Sequence, residues 1–302
     1  MVTDPFATVL DCNGRPLALD RPRVVGVLNL SPDSFSADGH GDDVAAAVAH
    51  ALRMVEEGAD MLDVGGQSTR PGAEAVDVEA ELARVLPVLE QLVARTALPI
   101  AIDTFRPEVM RAAVAAGAGM INDVYALRRD GAMDAAVELG VPVCLMHMQG
   151  EPRSMQDDPH YEDVVAEVHR FLTDRLFACE LAGMDRRRVL VDPGFGFGKA
   201  LEHNIALLGA LQRFADLGAG VYAGLSRKSM IGSLTGRKVP AQRVSGSVAA
   251  ALIAVQRGAR MVRVHDVAAT VDALAVWQAV HAHDSIPKRV ERQAAPRWPD
   301  DD

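Results

Sequence analysis

Short apolar runs recur along the chain, and each ends in a polar or charged residue. Val24 to Leu28 runs into Asn29, Met61 to Val64 encloses Asp63, Pro99 to Ile102 precedes Asp103, and Met120 to Ile121 precedes Asn122 and Asp123. Val143 to Met146 leads to His147, Val189 to Val191 to Asp192, Val221 to Leu225 to Ser226 and Arg227, and Met261 to Val264 carries Arg263 and leads to His265. Runs of this length read as buried strands. Between them, spacings such as Leu82, Val85, Leu86, Leu89 and Leu92, or Val164, Val168, Phe171, Leu172 and Leu176, give one apolar face on a helix. Repeated alternation of the two predicts an α/β fold, a TIM (β/α)8 barrel, with the polar strand ends on one rim.

The connections are of two kinds. Gly58-Ala59, Gly117-Ala118, Gly218-Ala219 and Gly258-Ala259 suit a helix end that turns tightly into the next strand. The opposite connections, Ser31 to Gly41, Gly66 to Asp77, Met148 to Tyr161 and Arg227 to Pro240, are long and rich in Pro, Gly, Ser and Arg. Long loops after the strands mark the active-site face of this architecture. Asn13-Gly14, flanked by Thr8 to Leu10 and Leu17 to Leu19, predicts an N-terminal β-hairpin. The expected organisation is a hairpin segment over 1–22, the barrel over 23–284 and a disordered, proline-containing tail over 285–302.

Length supports a single barrel, since 302 residues is close to the roughly 250 such a domain needs plus extensions. The formal net charge of −10 argues against nucleic acid or an acidic membrane surface as partner, so an anionic ligand must meet a local basic cluster. Cys12, Cys144 and Cys179 have neither CxxC spacing nor an even count, and no basic-plus-apolar leader precedes them, which points to a reduced, cytoplasmic protein. Val248 to Val255, the longest apolar stretch, is far short of the roughly 20 residues that span a bilayer.

Arg263 and His265, two apart at the end of the last strand, project to the same side and could grip one anion. Ser226-Arg227-Lys228-Ser229 follows the seventh strand, and loops after strands seven and eight often hold phosphate in this fold. Asp103, Asn122 and Asp192 end otherwise apolar strands. They either close the barrel top with an internal hydrogen-bond network or accept from a ligand rich in N–H donors, such as an aminopyrimidine-like ring whose acceptor edge Lys228 could meet. Asp192-Pro-Gly-Phe-Gly-Phe-Gly-Lys199 lacks Walker spacing; its glycines permit a tight turn or close approach to a flat ligand, and Phe197 is either packing or a wall of the site. Asn29 could bind a phosphate oxygen or a Mg²⁺ bridging phosphates, and Arg70 is a candidate second anion contact. His147 fits a core edge as well as a ligand, and nothing supports a tight zinc site.

The segments GVLNLSPDSFS (26–36), DVGGQSTRPGA (63–73), IDTFRPEV (102–109), IND (121–123), CLMHMQG (144–150), VDPGFGFGK (191–199), SRKSMIG (226–232) and RVHDV (263–267) resemble, in order, those of the bacterial dihydropteroate synthase family. The resemblance implies a TIM-barrel homodimer that condenses 6-hydroxymethyl-7,8-dihydropterin diphosphate with 4-aminobenzoate to give 7,8-dihydropteroate and diphosphate, a step of folate biosynthesis, by an SN1-like displacement with Mg²⁺. By motif position it implies that Asp103, Asn122, Asp192, Lys228 and Thr69 contact the pterin, and that Asn29, Arg70, Arg263 and His265 handle diphosphate, Asn29 also meeting the metal. It places Phe35, Ser68, Pro71, Phe197, Lys228 and Ser229 around the 4-aminobenzoate, which a sulfonamide should mimic. Asp103, Lys228, Arg263 and His265 would carry the catalysis.

This chain departs from the family pattern at Gln67, where a glutamate is familiar, at Phe105, where a serine is common, and in a longer first loop, Ser36-Ala-Asp-Gly-His-Gly41. Three rival readings remain: a corrinoid-linked, folate-dependent methyltransferase, which has no diphosphate to handle; a pterin-binding paralogue without catalysis; and a phosphate-binding aldolase, which should carry a strand-borne lysine or a His cluster.

Overall fold

The computed structural model describes residues 8–31, 43–68 and 76–284. The tail expected over 285–302 lies outside these, as do parts of the first and second long loops. Strands β1 (Val9–Cys12) and β2 (Arg15–Ala18) form an antiparallel hairpin, turned by Asn13 and Gly14 at φ of 56° and 78°. Two successive positive φ values are what a two-residue type I′ turn requires, and Asn-Gly supplies them at least cost.

Eight parallel strands follow: β3 (Arg23–Asn29), β4 (Met61–Gly65), β5 (Ile100–Asp103), β6 (Met120–Asp123), β7 (Val143–Met146), β8 (Val189–Asp192), β9 (Val221–Ala223) and β10 (Ala259–Val264). They pair in chain order, and β10 pairs with both β9 and β3, which closes the barrel. The outer layer is α1 (Val44–Glu56), α2 (Val78–Arg95), α3 (Pro107–Ala115), α4 (Ala132–Leu139), α5 (Val164–Leu181), α6 (Leu201–Gly209), α7 (Ser229–Thr235), α8 (Val244–Gln256) and α9 (Val267–Asp284). Asp43, Asp77 and Asp163 cap α1, α2 and α5 by accepting from backbone N–H groups of the first turn, each cap worth about 1 kcal/mol.

One expectation is corrected. The connection from Arg227 to Pro240 is not an open loop, because α7 occupies Ser229–Thr235. Met230 and Ile231 are buried on its inner side, and Gly236 at φ of 70° stops it.

The barrel interior has a floor. Val25, Met61, Ala101, Met120, Cys144, Leu190, Tyr222 and Met261, one residue from each barrel strand, form one buried cluster with Leu10, Cys12, Leu17 and Leu19 of the hairpin segment. The hairpin therefore plugs the N-terminal end of the barrel. Each of its three leucines contributes about 1.5–3 kcal/mol by leaving water. Asn13 Nδ2 donates to Val114 O and Ala118 O, and Arg15 donates to Leu98 O and Val93 O, so the plug is latched to the inter-strand connections. At Gly119 a Cβ would collide with the Cys12 carbonyl, so only glycine lets the hairpin seat this deeply.

Candidate active site

Side chains in a strand return to the same face every second residue. Two positions above the floor, the inward residues are Val27, Asp63, Asp103, Asn122, Met146, Asp192, Gly224 and Arg263. The barrel thus changes from an apolar floor to a charged mouth within one step. Above that ring lies a cavity of about 620 Å³, walled by Asp103, Asn122, Asp192 and Arg263 and completed by the loops after the strands.

Arg263 crosses the mouth between two carboxylates. Its Nε donates to Asp63 Oδ2 and its Nη2 to Asp103 Oδ2 at 2.8 Å. Burial opposes its charge, but Asp63 and Asp103 outweigh that and push its pKa up. Asp103 is itself pushed up to about 7, first by burial, against the pull of Arg263, with Asp63, Glu81 and Asp123 adding like charge. Asn122 Nδ2 donates to Asp63 Oδ2 at 3.1 Å, so Asp103 and Asn122 are joined through Arg263 and Asp63 in an internal network, and both also face the cavity.

Across the mouth, Asp192 Oδ1 accepts from Gly194 N–H at 2.7 Å. Burial raises the Asp192 pKa, opposed by Lys228 nearby. Lys228 is the N-cap of α7; its Nζ donates to Phe195 O at 2.5 Å and lies 4.8 Å from the centroid of Phe197. Burial lowers its pKa to about 8, and Asp192 resists the shift. Phe197 lines the cavity, whereas Phe195 is buried in the core, so the two phenylalanines divide the wall and packing roles.

The glycines between them serve the backbone. A Cβ at Gly194 or Gly198 would collide with the His147 or Gln149 carbonyl, and both have positive φ. Lys199 turns away from the cavity: it is buried and donates to His147 Nδ1 at 2.9 Å and to Phe197 O at 2.9 Å. Burial, with Lys199 and Arg128 nearby, pushes His147 down to about 2; it is a neutral acceptor whose Nδ1 is held by Lys199, at the core edge and outside the cavity lining.

Four more of the expected residues converge on the same cavity. Asn29 ends β3, Ser68 follows β4, Ser229 opens α7, and His265 follows β10. Ser226 Oγ accepts from the His265 backbone N–H and lies 3.1 Å from its Nδ1, which fixes that ring beside Arg263. Phe35, Thr69, Arg70 and Pro71 lie outside the described residues. Gln67 lines the cavity, with its Oε1 buried and lacking a hydrogen-bond partner among the described residues. Phe105 packs edge-on against Tyr125 and leaves Asp103 its place in the cavity wall.

Sequence reasoning assigned no role to Asp63, Met146 or Gln156. Strand parity could have found the first two, since Asp63 sits two past Met61 and Met146 two past Cys144. Gln156 lies in the loop after β7 and ties it to the β8 loop by donating to Gly196 O, a contact no local pattern announces. Among the described residues, no group of three or more His, Cys, Asp or Glu could hold a metal.

Comparisons with known proteins agree with this geometry. Residues 25–265 match the family model described as pterin binding enzyme. Dihydropteroate synthase of Escherichia coli K12 is 49% identical over 270 residues, covering 89% of this chain and 95% of that protein. A solved structure of Xanthomonas albilineans dihydropteroate synthase with 4-aminobenzoic acid is 66% identical, with a TM-score of 0.86, covering 91% of this chain and 99% of that one. Another structure of the same enzyme, in complex with 7,8-dihydropteroate, is 64% identical with a TM-score of 0.82 and the same coverage.

Proposed function

The chain belongs to the dihydropteroate synthases of the pterin-binding enzyme family, which condense 6-hydroxymethyl-7,8-dihydropterin diphosphate with 4-aminobenzoate to 7,8-dihydropteroate and diphosphate, and from that premise we propose how its own residues divide the work. The observation that carries the reading is the set of strand-end oxygens of Asp103, Asn122 and Asp192, opposed by Lys228 in one cavity. Ionised carboxylates only accept and an ammonium only donates. A pterin, with N–H donors along one edge and acceptors along another, complements that set.

Arg263 and His265 meet the diphosphate, stabilising charge where it develops as the exocyclic C–O bond breaks and its electron pair departs with the leaving group. The methylene cation left on the pterin is stabilised by the Asp103 carboxylate. The lone pair of the aromatic amine then forms the C–N bond, and the nitrogen gives up a proton. Phe197, Ser68 and Ser229 wall the side from which 4-aminobenzoate enters. Activity requires ionised Asp103, so the rate should fall as pH drops below about 7. A sulfonamide shaped like 4-aminobenzoate should compete with it.

Mg²⁺ fits this donor set as a substrate-borne ion. Asn29 offers an amide oxygen at the cavity wall, and among the described residues no group of three or more His, Cys, Asp or Glu could cage an ion, which suits Mg²⁺ because it characteristically binds through one or two protein groups, substrate phosphates and retained waters. Held there, it would neutralise the diphosphate.

We also read the protein as a cytoplasmic homodimer. Cys12, Cys144 and Cys179 are buried free thiols, and no described helix is long and apolar enough to cross a membrane. Ile205, Leu234, Ile253, Val276 and Val280 are exposed on the four consecutive helices α6 to α9, an apolar face suited to a second copy. Sedimentation of a single monomeric species would overturn the dimer.

Purified protein given dihydropterin diphosphate, 4-aminobenzoate and Mg²⁺ should release dihydropteroate and diphosphate in equal amounts. Pterin binding without turnover would point to a paralogue that has lost catalysis.

A further inference from the structure

We propose that Tyr222 and Asp63, neither of which lines the cavity, form a buried positioning pair that sets the angle of Arg263 against the diphosphate and of Asn122 against the pterin. Tyr222 carries the one hydroxyl in the apolar floor ring. A buried hydroxyl is costly without a partner, and a leucine or phenylalanine would fill the same space without that cost. Its partner is Asp63 in the ring above, whose Oδ2 accepts from the Tyr222 hydroxyl at 3.4 Å.

The same oxygen accepts from Asn122 Nδ2 at 3.1 Å and from Arg263 Nε. Its mate, Oδ1, is buried with no hydrogen-bond partner among the described residues. The carboxylate is therefore oriented by three donors on one oxygen, from β6, β9 and β10, and it in turn orients two cavity-wall residues from opposite sides. Burial and the adjacent Asp63 push the Tyr222 pKa up, so the hydroxyl keeps the proton it donates. Asp63 acts through Arg263 and Asn122 and touches no substrate.

The inference rests on the assignment of Arg263 to the diphosphate and of Asn122 to the pterin, and the test separates the two claims. Tyr222→Phe removes a single oxygen from the floor. It should lower kcat/KM for dihydropterin diphosphate about threefold to tenfold, with KM for 4-aminobenzoate within about twofold of the parent. Asp63→Asn should lower the same parameter about 100-fold, the scale of a charged hydrogen bond.

Asp63→Asn should also move the acid limb of the pH–rate profile. The groups acting on Asp103 are Arg263, Asp63, Glu81 and Asp123, with Lys228 in the same mouth. Removing the Asp63 charge takes away a like charge and leaves Arg263 undivided, and both effects favour ionised Asp103, so the limb shifts to lower pH. A purely structural defect lowers the melting temperature, spreads the loss over both substrates and leaves the limb in place; that pattern, or unchanged kinetics in Tyr222→Phe, overturns the proposal. If Asp63→Asn does not fold, Tyr222→Phe decides alone. A parent protein that makes no dihydropteroate would instead sink the functional reading.

Discussion

The two ends of the barrel interior are built by the same eight strands, two residues apart, and they could hardly differ more. At the floor every strand contributes a residue to one buried, largely hydrocarbon layer, and the N-terminal hairpin seals it. At the mouth the same strands present Asp63, Asp103, Asn122, Asp192 and Arg263. The floor gains stability from burial, whereas the mouth spends it by holding carboxylates where water is scarce. A strand's period of two allows this division, because one step along the inward face changes the chemistry without changing the backbone.

Arg263 is where the contrast breaks most sharply. Arg263→Met leaves Asp63 and Asp103 facing each other without a cation, and breaking a buried pair in this way typically costs about 3–5 kcal/mol. Turnover should fall by about a thousandfold or more, because the diphosphate loses its donor as well. Denaturant unfolding alongside turnover checks both. Unchanged stability would mean the mouth carboxylates are not charged in the resting enzyme.

The pH dependence of stability sharpens the same point. Asp103 is raised to about 7 and Asp123 to about 6, in both cases chiefly by burial. Groups with raised folded-state pKa values stabilise the protein below their unfolded values near 4, and lose that contribution as pH rises through the folded values. Unliganded protein should therefore lose up to a few kcal/mol between about pH 4 and 7 from these two residues. A pterin whose N–H groups favour the ionised Asp103 should recover part of it and release protons on binding. Calorimetric titration near pH 6.5 in two buffers of different ionisation enthalpy measures that release; identical apparent heats would contradict it.

At Asp192 the effect should be smaller and confined to one ligand. Asp192→Asn keeps the shape and an acceptor oxygen but removes the charge that faces Lys228 and the pterin N–H donors. Pterin affinity should fall about 10- to 100-fold, the range of a charged hydrogen bond, while the melting temperature of the free protein stays level or rises. Equal weakening of pterin and diphosphate binding would show that the mouth is not divided as argued.

Much of the mouth was legible in the sequence because its residues end apolar runs. Asp103, Asn122 and Asp192 end hydrophobic strands, and the cost of burying them is itself the signal. Asp63 escaped for the opposite reason: Val64 follows it and the run continues, so it reads as an interruption rather than an end. The plug was legible as a hairpin from Asn13-Gly14, but its destination was not, since the match between Cys12 and Gly119 joins residues more than a hundred positions apart. The helix α7 was lost in a stretch rich in Ser, Gly and Lys, whose two buried residues, Met230 and Ile231, become inward-facing only once the barrel exists.

The floor has its own test, with the smallest expected consequence for chemistry. Gly119→Ala sets a methyl against the Cys12 carbonyl, and backbone cannot yield as a side-chain tip can. The hairpin must lift, loosening the burial of Leu10, Leu17 and Leu19, for a loss of about 1–3 kcal/mol typical of overpacking. The mouth lies a full layer above, so kcat per folded molecule should stay within about twofold of the parent. A large fall in kcat with the fold intact would mean that displacement of the plug reaches the mouth, with Tyr222, the floor residue that touches Asp63, as the route. Combining Gly119→Ala with Tyr222→Phe separates the cases: additive effects keep floor and mouth independent, and a coupling beyond about 0.5 kcal/mol joins them.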